Sequence, residues 1–149
     1  MRRFRDTLGL KATQAESGKS VGRVTDVALT KDGQEIVGFL LSRRSLFGKR
    51  RFVPFSGVRL FGERTVEVEQ AVDRRMENER PLIGQTVRDT SGILLGWVTD
   101  GMFSETTGQV YAIEVSYGLL EDFSLGRALL CDFILRPEGV VVLSGAGRM

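Results

Sequence analysis

Apolar and polar residues alternate along this chain in short runs, and glycine, proline or aspartate closes most of them. That period of two marks strands with one face in a core. Phe4, Leu8, Leu10 and Ala12 alternate with polar neighbours and predict an extended lead-in and a first strand. A turn at Glu16–Lys19 precedes a Val- and Thr-rich strand over Ser20–Thr30. Lys31-Asp32-Gly33-Gln34 reads as a hairpin turn, since Asp-Gly tolerates positive φ. Glu35–Ser42 is a mostly apolar strand. Phe52–Phe55 returns to the core, with Pro54 confining it to a sheet edge or a strand end. Ser56–Val58 suits a short 3₁₀ turn. Arg59–Phe61 and Thr65–Glu69 form a last hairpin, with Val66 and Val68 inward.

The pattern then repeats. Ser17-Gly18-Lys19-Ser20-Val21-Gly22-Arg23-Val24-Thr25-Asp26 returns as Ser91-Gly92-Ile93-Leu94-Leu95-Gly96-Trp97-Val98-Thr99-Asp100, with six of ten residues identical at an offset of 74. Inward Val24 and Val27 are three residues apart, an odd spacing for a strand. A β-bulge at Thr25-Asp26 puts both on one face, and Val98, Gly101 and Phe103 repeat the break. Thr107-Gly108-Gln109 repeats the hairpin turn and Tyr111–Ser116 the apolar strand. Ala128–Leu135, a turn at Pro137–Gly139 and Val140–Leu143 close the second unit. Residues 70–80 lack β-formers and glycine and predict a helical or irregular linker stopping at Pro81. The expectation is an all-β chain of two tandem small barrels, about six short strands each. Barrel 1 covers residues 1–72, a linker 73–79, barrel 2 80–145, and a tail 146–149.

Charge separates the units. Residues 1–75 carry 16 Lys/Arg and 9 Asp/Glu, a net +7, while residues 76–149 carry 5 and 10, a net −5. A basic and an acidic half can pair, or the basic half can meet an acidic partner. The single cysteine, Cys131, forms no internal disulfide, which favours a reducing compartment. No apolar run follows Arg2, Arg3 and Arg5 as in a signal peptide, and none approaches the ~18 residues of a membrane span. A cytoplasmic protein is expected.

The chain has no histidine. That removes His-based acid–base catalysis, His-activated nucleophiles and most zinc sites. No catalytic, cofactor-binding or metal-binding residues are assigned. Asp26 and Asp100 recur, but an Asp beside a bulge serves nearby backbone N–H groups. Gly18, Gly22, Gly92 and Gly96 suit turn geometry and close strand packing, with no Lys-Ser/Thr signature for a phosphate loop. Cys131, among Leu129, Leu130, Phe133 and Ile134, reads as a buried inert thiol.

The candidate partner surface is a basic loop holding Arg43, Arg44, Lys49, Arg50 and Arg51 around Leu46 and Phe47. Its counterpart, Tyr117–Gly126, is acidic and apolar through Leu119, Leu120, Glu121, Asp122 and Phe123. Homologous loops of opposite sign suggest mutual docking, within one chain or between chains. Two other readings compete: a basic hairpin tracking RNA phosphates with Phe47 stacking on a base, and peripheral contact with an anionic membrane.

The order of signals resembles the PRC-barrel family: Leu8-Gly9, Gly18 to Asp26, Gly33, Ile36 to Leu41, Val53-Pro54 and Thr65 to Val68. The second unit departs where Leu130-Cys131 replaces Pro54-Phe55. Members include the cytoplasmic domain of the photosynthetic reaction centre H subunit, the C-terminal domain of a ribosome-maturation factor, and small standalone proteins. The resemblance implies a β-barrel used as a binding or assembly module, not an enzyme, and needing no cofactor. The expected function is a non-catalytic protein-interaction adaptor, self-associating or docking on a larger complex.

Overall fold

The computed structural model describes residues 1–42, 49–75, 80–117 and 127–143. In chain order the strands are β1 (Arg2–Arg3), β2 (Lys11–Gln14), β3 (Ser20–Leu29), β4 (Ile36–Leu41), β5 (Lys49–Pro54), β6 (Val58–Phe61), β7 (Thr65–Val68) and β8 (Val72–Arg75). The second series is β9 (Thr86–Arg88), β10 (Leu94–Phe103), β11 (Val110–Ser116), β12 (Arg127–Leu130), β13 (Phe133–Arg136) and β14 (Gly139–Val142). A 3₁₀ turn, Phe55–Gly57, is the one helical element among the described residues. One sheet runs β6-β7-β2-β3-β4-β5-β8 and the other β12-β11-β10-β9-β14-β13, with β1 joined to β10. Each unit rolls its hairpins together through one parallel pair, β2 with β7 and β14 with β9.

The predicted bulges are present in both copies. The β3–β4 register shifts between Val24 and Asp26, and the β10–β11 register shifts between Val98 and Asp100. Each shift keeps the valine and the apolar residues beyond it inward. The decapeptide glycines meet two demands. Gly18 and Gly92 sit at φ 69° and 93°, in turns. Gly22 has φ 129° against Ser42, and a Cβ at Gly96 would collide with the Ser116 carbonyl. Either way, only glycine fits.

Three local expectations fail, each because a tertiary partner outweighs local pattern. Residues 72–75 form β8 rather than a helical linker, since β5 offers a ladder in which Phe52 faces Val72 and Arg51 faces Asp73. β5 is therefore covered on both sides, and Pro54 lies beyond the end of β8. Leu8 is exposed and Thr7 buried, because residues 4–10 turn (Thr7 and Leu8 N–H both donate to the Phe4 carbonyl) instead of extending. Ala128–Leu135 breaks into β12 and β13 at Cys131-Asp132, which leaves Cys131 exposed rather than buried.

The units meet on a local two-fold axis. Glu35 and Gln109 form an antiparallel bridge. The Ile36 N–H donates to the Gly108 carbonyl and the Val110 N–H to the Gln34 carbonyl, both at 2.8 Å. The offset of 74 exchanges these two bonds. The hairpin glycines at this contact have positive φ, 74° at Gly33 and 78° at Gly108, and each lies tight against the other unit. A Cβ on Gly33 would sit 2.9 Å from Leu135, and one on Gly108 3.3 Å from Phe55. The apolar core is continuous across the axis. Phe103 of the second unit packs against Phe39 and Phe61 of the first, with ring centroids 6.3 and 5.9 Å away, and against Phe4 at 5.7 Å.

The N-terminal segment crosses the same boundary. β1 pairs with β10, Arg2 facing Phe103 and Arg3 facing Met102. Asp100, only 1% exposed, holds it: Oδ1 accepts from the Gly101 N–H at 2.8 Å and the Arg5 N–H at 3.1 Å. Arg3 bridges Asp100 (3.1 Å) and Glu114 (3.2 Å), and Glu114 also accepts from Thr99 and Arg127. Burial pushes the Glu114 carboxyl up, but the hydrogen bond from Thr99 and the Arg3 guanidinium outweigh it and hold the group below its ordinary value of 4.5.

Three outcomes follow from this packing. Phe103→Ala should lower stability by about 3–5 kcal/mol, and calorimetry should still show one transition rather than two, because both units share the core. Asp100→Ala should cost about 2–4 kcal/mol in denaturant unfolding and speed hydrogen exchange at the Arg5 amide, whose acceptor is removed. A depressed carboxyl adds stability present above its unfolded value and lost as pH falls through the folded one. Acidification below pH 4.5 should therefore erode thermal stability, and Glu114→Gln should flatten that acid limb relative to wild type.

Candidate interaction surfaces

β4 starts beside the two-fold axis and runs away from it for six residues, and β11 does the same for seven. Because the bridge is antiparallel, they leave in opposite directions, each reaching about 20 Å at ~3.3 Å per residue. The connection after β4 and the connection after β11 thus begin on opposite sides of the molecule. Arg43, Arg44, Leu46 and Phe47 lie outside the described residues, as do Leu119, Leu120, Glu121, Asp122 and Phe123. Lys49, Arg50 and Arg51 open β5, where Lys49 faces Arg75 and Arg50 faces Arg74 across the ladder. Arg51 reaches back to the Val21 carbonyl at 3.0 Å.

Each of these ends also carries one copy of the decapeptide. The start of β3 shares the basic end, and the start of β10 shares the other, where Trp97 faces Ser116 near the close of β11. Inward positions stay apolar or glycine in both copies, but three exposed positions differ in kind. The first unit shows Lys19, Ser20 and Arg23, all exposed. At the matching positions the second shows Ile93, Leu94 and Trp97, exposed by 62, 43 and 40%. Gly22 and Gly96, one residue before Arg23 and Trp97, both lie tight against the neighbouring strand, at Ser42 and Ser116. The difference expected from the sequence lies in the loops and does not include these three positions. The signal was present in the repeat itself, in the four residues of ten that do not match.

The other candidates from the sequence fall into place around the core. Gly18 and Gly92 turn, and Gly22 and Gly96 allow close strand approach. Asp26 engages a partner of its own, and Asp100 clamps the N-terminal segment. The described residues contain no group of three His, Cys, Asp or Glu placed to hold a metal. No helix among them is long and apolar enough to cross a membrane. A shallow hollow of about 440 Å³ lies beside β2 and β3 and is edged by Lys11, Arg23 and Arg64 together with Asp6 and Glu63. It is open and of mixed charge, which does not resemble a substrate pocket.

Comparison with known proteins gives one match of substance. The family model for the PRC-barrel domain matches twice, over residues 1–75 and 76–143. No curated protein matches the chain. The two matched segments meet at the boundary between β8 and the second unit, and together they span nearly the whole sequence. The chain therefore belongs to the PRC-barrel family, as two PRC-barrel domains in tandem.

Proposed function

We propose that this protein is a non-catalytic adaptor that associates with further copies of itself head to tail. The observation that carries this reading is the antiparallel bridge at Glu35 and Gln109, which sends the basic and the acidic connections to opposite ends. Docking of one loop on the other is then a contact between chains. The basic end of one copy, Lys19, Arg23 and the Arg43–Arg51 stretch, meets the apolar and acidic end of the next. That end carries Ile93, Leu94, Trp97 and the Tyr117–Gly126 stretch. Charges of opposite sign steer the encounter, and the exposed apolar residues supply area to bury. Such a contact joins unlike surfaces, so it builds a ring or an open chain rather than a closed pair.

Two further facts support a binding role over a catalytic one. PRC-barrel membership suggests a module without chemistry of its own, and the chain has no histidine. A reducing, cytoplasmic setting suits the exposed Cys131.

Sedimentation velocity over a range of protein concentrations tests the proposal. The wild type should grow in size with concentration and shrink again at high salt. Arg50→Glu with Arg51→Glu should leave a monomer, and adding Glu121→Arg with Asp122→Arg should restore association. Fluorescence of Trp97, the chain's one tryptophan, should shift to the blue as complexes form. A monomer at every concentration, or association indifferent to these four positions, would overturn the reading.

A further inference from the structure

Residues 1–8 belong in sequence to the first domain but reach across to the second. The Phe4 N–H donates to the Gly101 carbonyl at 2.9 Å, the Arg5 Nε to the Thr99 carbonyl at 2.6 Å, and the Arg2 guanidinium to Glu105 at 3.3 Å. These bonds add to the β1–β10 ladder and to the contacts of Arg3 and Arg5 with Asp100 and Glu114. The segment's hold on its own domain runs through Arg2, which donates to the Gly62 carbonyl at 2.9 Å and lies over the Phe61 ring.

The internal repeat shows what is special in the seat. A Cβ at Gly101 would lie 3.2 Å from the Phe4 ring, so glycine leaves the room that ring fills, where the first domain has Val27. Phe103 meets Phe4 edge-on at 5.7 Å and matches Leu29, and Glu114 matches Leu40. The second domain thus offers two carboxylates to a guanidinium, an aromatic wall to a ring, and a strand edge to a backbone. That set receives a short extended segment by strand addition. Segment and seat are joined by a single turn. The Leu10 N–H donates to the Thr7 carbonyl at 3.2 Å, and Gly9 stands third in that turn at φ 89°, a place that demands glycine. Leu8 and Gly9 are exposed, and a Cβ on Gly9 would meet nothing within 4 Å. Straightening the chain there moves residues 1–8 as one piece, ahead of β2.

We propose that residues 1–8 are exchanged between two copies, each chain placing its N-terminal segment in the seat on β10 of the other. The exchanged pair repeats the contacts between segment and seat, so the two forms differ in the Gly9 turn and in the entropy of association. Local opening at a chain end is the route between them, and the Arg3 side chain, 42% exposed, stands at the mouth of the seat. The occupant is a second copy because the seat is fitted to this chain's own residues: Phe4 is 2% exposed in it, and Asp100 1%. This inference goes beyond head-to-tail association and does not depend on it, because it uses the N-terminal segment rather than the two ends.

Sedimentation velocity on the full chain carrying Arg50→Glu and Arg51→Glu, a monomer under the head-to-tail reading, tests exchange by itself. Adding Gly9→Ala strains the closed turn and should tighten dimerisation by about tenfold or more. Gly84→Ala puts the same strain, at φ 94°, into the matching turn Leu82–Gln85 of the second domain and should leave a monomer. Arg3→Gln with Phe4→Ala blunts the segment, and Asp100→Ala with Glu114→Gln spoils the seat. On the Gly9→Ala chain each pair alone should abolish the dimer, and an equimolar mixture of the two should form mixed pairs, where one intact segment meets one intact seat. A folded Gly9→Ala chain that stays monomeric overturns the proposal and leaves the head-to-tail reading untouched. So does an equal dimer from Gly84→Ala, or a mixture that pairs no better than its parts. Should Gly9→Ala not fold, refolding the chain without it at high concentration decides: a dimer that persists on dilution supports exchange, and its absence overturns it.

Discussion

Two backbone hydrogen bonds at the Glu35–Gln109 bridge govern the molecule. They set the hairpin tip of each PRC-barrel domain against the other domain. The close approach explains why glycine stands at both tips: at positions 33 and 108 a side chain would meet both an unfavourable φ and the neighbouring domain. Further bonds run outward from the contact, from the Leu135 N–H to the Asp32 carbonyl and from the Gln34 amide to the Phe133 carbonyl. With the tips docked, the inward faces form one core across the axis. A domain of about 70 residues is marginal on its own. A shared core lets each domain bury more apolar surface than it could alone.

The symmetry is broken where one domain must be told from the other. Asp100 and Asp26 occupy equivalent places, but the second network also contains Glu114, and the offset of 74 puts Leu40 at the matching place in the first domain. Leu40 joins Ala28 and Phe52 in a small apolar cluster. A guanidinium can bridge Asp100 and Glu114 and bind the N-terminal segment there. The first domain has an apolar residue where the second has Glu114, so this two-carboxylate bridge is built in the second domain. The same network ties β1, β10, β11 and β12 together, since Arg127 also reaches Glu114.

Local signals in the sequence were legible where backbone chemistry is local. The Asp32-Gly33 turn, the odd Val24–Val27 spacing and the alternation of Val66 and Val68 each encode geometry within a few residues, and each appears as expected. Features that depend on a distant partner were not legible. Val72–Arg75 has weak strand character of its own and becomes β8 because β5 has an open side. Residues 4–10 alternate like a strand but turn, because Phe4 packs on Phe103 from the other domain. Cys131 has apolar neighbours in sequence, yet the chain bends there.

A duplicated fold gives its own measure of what packing demands. Inward positions recur because the core has to be filled twice to the same shape, and bulges and close-contact glycines recur because both barrels must close. Exposed outward positions carry no such demand and drift unless something holds them. Arg23 and Trp97 are equivalent, exposed, and as different as two side chains can be, each following a glycine that lies tight against the neighbouring strand. A solvated strand face would be served by any small polar residue at either place. A cation opposite Lys11 at one end, and an indole exposed at the other, are costly choices for a face that touches only water. The repeat thus divides its own residues: those that match serve the turns, bulges and core that both barrels share, and the exposed ones that differ are where the proposed contacts are assigned.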